Sequence, residues 1–131
     1  MAYIIAALMA GLSFLLNQAF IRYIGPVTII SLGPIAEEAS KTLFAYYLGV
    51  DIIIVHAVFG IIEAAYDWYQ DSERPAAGLL SIFGHSLFGA ATAIILTLTG
   101  SVGLGLTAGV ILHLAYNVAV VRLLAGKLPN N

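Results

Sequence analysis

Cysteine is absent from the 131 residues, which excludes disulfide frameworks, thiolate metal sites and thiol nucleophiles. Charge is nearly as scarce. Asp, Glu, Lys and Arg make up 9% of the chain, and from Pro75 to Val121 there is none. No basic arm, nucleic-acid motif or low-complexity tract is present, so nucleic acid is excluded as a partner. The net charge of −2 points to no charged partner either. What fills the chain instead is apolar: 61% hydrophobic residues and a mean hydropathy of +1.00, far from the composition of a soluble domain. The first apolar stretch lacks a basic leading region and a small-residue cleavage pattern, so it reads as a retained span. These features predict a single integral membrane domain over residues 1–131, with the lipid bilayer as its first partner.

The spans follow from length and breaks. A first runs from about Ala2 to Ile21, with Asn17 and Gln18 polar enough to prefer a packed face, and ends at Arg22 before Gly25-Pro26. A second covers Val27 to Val50, irregular to about Gly33 and helical from Pro34 to about Leu48, because proline suits a first helical turn. A third runs from Asp51 to about Tyr69 and ends in an aromatic belt, Tyr66, Trp68 and Tyr69. After a polar loop from Gln70 to Ala76, a fourth covers Ala77 to Leu98 and a fifth Leu104 to Ala125. The expected fold is therefore an all-α polytopic bundle of about five membrane-spanning helices. Five crossings put Arg22, Arg74, Arg122 and Lys127 on one side, which the positive-inside rule makes cytoplasmic, with the N-terminus outside.

Against this background Glu37, Glu38 and Lys41 are the costly residues. A charge at mid-membrane costs about 2.5–3.5 kcal/mol, and each Leu, Ile or Phe returns about 0.3–0.6. Such groups must face partners or water and are functional candidates by default. Glu37 is four residues before Lys41 and Glu38 three, both spacings that meet on a helix. The sequence favours Glu37 as the partner of Lys41 and leaves Glu38 unexplained.

Depths coincide as well. At a rise of about 1.5 Å per residue, Glu63, His85 and Asn117 lie about 10–12 Å from the basic side, with His113 one turn deeper and Glu37 in the same band. Ser81, His85 and Gly89 form one four-residue stripe, and Gly105, Gly109, His113 and Asn117 another. Small residues at that spacing bring membrane helices close and turn each histidine into an interface. His56 falls about two turns nearer the outer side and reads as a structural hydrogen bond. Asp67 and Tyr66 read equally as site or interface.

Several membrane chemistries lack their residues. His85 is followed by Gly89 and His113 by Asn117, so H-E-x-x-H is missing. Tyr66-Asp67 has no second aspartate, since Gly103-Leu104-Gly105-Leu106 supplies none, and Gly11-Leu12-Ser13-Phe14 is not a rhomboid-type serine setting. What remains is Glu37-Glu38-x-x-Lys41, Phe59-x-x-x-Glu63, His85, and His113-x-x-x-Asn117 on successive spans. This pattern resembles the PrsW family of intramembrane proteases, relatives of the type II CAAX prenyl proteases and the Abi (CPBP) membrane proteins. Thr42 and Glu63 stand where the CAAX relatives have Arg and His, which favours the PrsW branch. Ala64 stands where an Asn often follows in the family, and the chain is short for it.

The resemblance implies hydrolysis of a peptide bond in a single-span membrane protein, such as an anti-sigma factor, in the cytoplasmic membrane of a prokaryote. It implies catalytic roles for Glu37, Glu38, Glu63, His85, His113 and Asn117, with Lys41 in support. Glu37, with Glu63 across a cavity, would deprotonate water, and His113 and Asn117 would bind the oxyanion. No cofactor is then required. In the rival arrangement Glu63, His85 and His113 bind Zn²⁺ and Glu37 is the base. Other classes stay open: a non-proteolytic scaffold of the same helical core, homo- or hetero-oligomeric, or a proton or cation pathway lined by Glu and His.

Overall fold

The computed structural model describes residues 1–70 and 75–125. Arg74 and Lys127, two of the four basic residues used for orientation, lie outside the described residues. Among the described residues five α-helices follow one another: α1 (Ala2–Tyr23), α2 (Leu32–Tyr47), α3 (Ile52–Gln70), α4 (Pro75–Thr99) and α5 (Val102–Ala125). No strand occurs among the described residues. The fold is the expected all-α membrane bundle.

The breaks have local causes. Gly25 takes φ 117°, which a side chain would resist, and Pro26 then opens a 3-10 helix, Pro26–Ile30. Pro34 sits in the first turn of α2, where its missing N–H has no partner to lose. After α2, Gly49 is left-handed at φ 65°. Val50 N–H donates to Ala45 O at 2.9 Å and Gly49 N–H to Tyr46 O at 3.2 Å, a complete Schellman closure. Asp51 then caps α3 by accepting from Ile54 N–H at 2.9 Å. Gly100, at φ 68°, ends α4, and Ser101 Oγ accepts from Leu104 N–H as α5 begins.

Among the described residues four helices, α1, α3, α4 and α5, are long and apolar enough to cross a membrane. Their outer faces are apolar and exposed, with Leu8, Leu15, Leu79, Phe83, Leu98 and Ile111 pointing away from the bundle. That surface suits lipid and marks an integral membrane chain. The helix α2 differs. Its 16 residues rise about 24 Å, short of a hydrocarbon core of about 30 Å, and seven of them are buried. It packs against α1, α3 and α5, while α3 against α4 and α4 against α5 complete the ring. The charged residues of α2, Glu37, Glu38 and Lys41, are thus turned into the bundle, while Leu32, Ile35, Phe44 and Tyr47 stay on its outer face.

Burial divides along the bundle axis. One end is apolar, where Ile5, Met9, Ala45, Ile52, Val55 and Phe59 form the core cluster. Buried polar residues begin beside this cluster, with His56 and Lys41, and continue with Glu37, Glu38, His85 and His113. Close approach there depends on glycines. A Cβ at Gly60 would stand 3.1 Å from Ile82 Cα and from Ser81 O, and one at Gly89 would stand 2.6 Å from His56 Cβ.

Candidate functional site: a buried ionic knot beside a carboxylate-lined cavity

The core of the site is Glu38, which is fully buried. Its Oε1 accepts from Lys41 Nζ at 2.7 Å and from His113 Nδ1 at 3.0 Å. Its Oε2 lies 3.0 Å from His56 Nε2, while His56 Nδ1 donates to Ile52 O at 2.9 Å. Both oxygens are therefore spent within the protein. Lys41, also fully buried, donates further to His85 Nδ1 at 2.9 Å and lies 4.2 Å from the centre of the Phe59 ring. An ammonium has no acceptor, so His85 Nδ1 must accept and His85 carries its proton on Nε2. That N–H donates to Glu63 Oε2 at 2.5 Å, and Ser81 Oγ donates to the same oxygen at 2.6 Å. A continuous chain of hydrogen bonds runs from His56 through Glu38, Lys41 and His85 to Glu63.

The sequence paired Lys41 with Glu37, four residues away. The structure pairs it with Glu38. Glu37 turns instead toward α1, where Asn17 Nδ2 donates to its Oε1 at 2.7 Å. Its Oε2 faces His113 Nε2 across 4.0 Å, longer than a direct hydrogen bond and short enough for one water to reach both. Because His113 gives its Nδ1–H to Glu38, the nitrogen facing Glu37 is the free one. Phe88 stacks on the His113 ring at 4.4 Å and 20°, which fixes its plane.

Two cavities meet at Glu37 and Glu63. One, of about 580 Å³, is a groove between α1 and α3, with Phe59 and Ile62 on the α3 side. The other, of about 530 Å³, lies among α1, α4 and α5 and reaches His85, His113, Tyr116 and Asn117. Asn17 and Asp67 also border both. The second cavity includes Ile21, Ala76 and Val120, so it extends toward the end of the bundle that carries Arg22 and Arg122.

Of the residues singled out in the sequence, Glu37, Glu63, His85, His113 and Asn117 border the second cavity, and Glu38 and Lys41 lie in the knot behind it. Asn117 Nδ2 donates to Ile29 O at 3.2 Å, covering a carbonyl of the 3-10 segment. One of its amide protons is thus used and one is left. His56, read as structural from its depth, bonds directly to Glu38. Asn17 and Ser81 are the partners that sequence reasoning left without a role. Both are polar, at the level of the glutamates and on packed faces, and that combination was the available signal. The metal set also differs. The atoms that cluster within 4.8 Å are those of Glu37, His85 and His113, while Glu63 is bound to His85.

The chain matches no protein-family model, no curated protein and no solved structure.

Proposed function

We propose that this chain is an intramembrane peptidase in which Glu37 activates water against a peptide bond of a membrane-embedded substrate. The observation that carries it is the setting of Glu37. One oxygen is fixed by Asn17, the other faces the free nitrogen of His113 at 4.0 Å, and both cavities meet there. A water seated in that gap gives a proton to Glu37 Oε2 as its oxygen bonds the carbonyl carbon. The tetrahedral adduct then breaks its C–N bond, and Glu37 returns the proton to the departing amine nitrogen. The products are a carboxyl group and an amine. The remaining Asn117 amide proton is the oxyanion donor, and the loss of one such donor costs about 3–4 kcal/mol in better-known proteases. Glu63, with its Oε2 held by Ser81 and His85, borders the same space and restricts how the peptide lies. Arg22 and Arg122 make the open end of the second cavity cytoplasmic in this reading.

A metal-assisted version has one observation in its favour, the clustering of Glu37, His85 and His113. A Zn²⁺ there would act as a Lewis acid on the carbonyl. The donor set fits poorly, because His85 is held at both ring nitrogens, by Lys41 and Glu63, and ligates only by releasing one of them. The metal-free reading is therefore preferred.

The test is hydrolysis of single-span peptides by the purified chain in liposomes, in water enriched in ¹⁸O. The new C-terminus should carry one ¹⁸O, and turnover should survive chelation. Loss of turnover on chelation with recovery on Zn²⁺ would move the reading to the metal version. No cleavage of any peptide by the folded chain would leave the scaffold or ion-pathway alternatives.

A further inference from the structure

The groove between α1 and α3 has properties that the water-activating residues do not explain. On α1 its wall is made of Ala7, Ala10 and Gly11, residues too small to fill about 580 Å³, with Phe59, Ile62 and Tyr66 opposite on α3. Ala7 and Gly11 are exposed, and a Cβ built at Gly11 meets nothing within 4 Å. The groove therefore opens through the lipid-facing side of the bundle. Phe14 and Tyr66, both partly exposed, meet edge to face at 5.2 Å between α1 and α3. Ser13 belongs to the same wall. It is 2% exposed and its Oγ has no hydrogen-bond partner, an uncommon state for a buried hydroxyl. The inner end of the groove is acidic, with Glu37, Glu63 and, one turn further along α3, Asp67.

A lipid acyl chain would satisfy the small apolar wall and none of these polar groups. A helical peptide would keep its own backbone groups occupied. An unwound peptide fits both ends, because its side chains fill the space beside Ala10 and Gly11, its free amide groups can donate to the half-exposed Glu63 carboxylate, and a basic side chain suits the acidic end. We propose that this groove is the substrate subsite, taking an extended apolar stretch of a membrane-spanning peptide that carries a lysine or arginine next to Asp67. The proposal rests on the peptidase reading and names its substrate class.

The test measures binding without turnover. Gly11→Cys gives the full chain its single thiol, at a position with open space, and is combined with Glu37→Gln and labelled with benzophenone. In liposomes it is illuminated with a membrane peptide that has a glycine-proline break followed by lysine, or with the same peptide bearing glutamine. Leu98→Cys, on the lipid-facing side of α4, gives the background. The lysine peptide should crosslink at Gly11 well above background, about fivefold more than the glutamine peptide, and Asp67→Asn should erase that difference. Capture of lipid alone, or equal labelling of the two peptides, overturns the proposal. Hydrolysis by the native chain with no peptide labelling at Gly11 removes the subsite and leaves the reaction. Lysine-selective labelling by a chain that hydrolyses nothing keeps the subsite and removes the reaction.

Discussion

Glu38 meets Lys41, His56 and His113 with both oxygens and has no exposed surface, whereas Glu37, one residue earlier, has Asn17 on one oxygen and a cavity before the other. A helix turns about 100° between neighbours, so an adjacent pair divides between two faces. On α2 one face meets the knot and the other meets open space. A fully satisfied buried carboxylate fixes structure, and in low dielectric it does so at high stakes, since any lost partner leaves a charge uncompensated. A carboxylate with a free oxygen and a histidine nitrogen opposite can exchange a proton. The difference in role lies in which partners the folded chain supplies, because the two side chains are chemically identical.

That contrast can be broken from the side of the knot. Lys41→Met removes the cation and leaves Glu38 buried with its other two partners, and should destabilise by about 3–5 kcal/mol. Adding Glu38→Gln to it should restore part of that loss, a coupling measured by a double-mutant cycle on thermal melting in detergent. Additive losses would mean that the two residues act independently. A smaller effect is expected behind the knot. A Cβ on Gly109 would run into Thr92 Oγ1 and come within 3.2 Å of Glu38 Oε2, so Gly109→Ala should cost about 1–3 kcal/mol in melting. Asn17→Ala sharpens the comparison from the other side. It takes one hydrogen bond from Glu37 and none from the knot, and should cost about 1 kcal/mol or less in stability. If Glu37 is the base, the same change should slow turnover severalfold. Equal losses of melting for Asn17→Ala and Lys41→Met would erase the distinction between the two regions.

Much of the bundle was legible because insertion into lipid is decided by length and apolarity, which sequence carries directly. The break at Gly25-Pro26 and the helix ends near Leu48 and Leu98 fell where expected, and the residues expected at one depth, Glu37, Glu63, His85, His113 and Asn117, border one cavity. What escaped was rotation. Spacings of three and four both place a carboxylate near Lys41, and only the packing of α2 against α1 and α5 decides that Glu38 takes it. His56 escaped for a related reason. Depth measured along α3 put it outside the site, but Gly89 lets its ring pass close to α4 and reach Glu38.

The most direct measurement compares Glu37→Gln with Glu38→Gln in one preparation, reading both melting and cleavage of a single-span substrate. Gln at position 37 keeps an oxygen for Asn17 and the side chain's shape, and loses the charge and the ability to take a proton. Glu37→Gln should melt like the native chain and show no turnover, whereas Glu38→Gln should melt markedly lower and retain turnover in the fraction that stays folded. Native turnover by a folded Glu37→Gln protein would contradict the assignment of chemistry to Glu37.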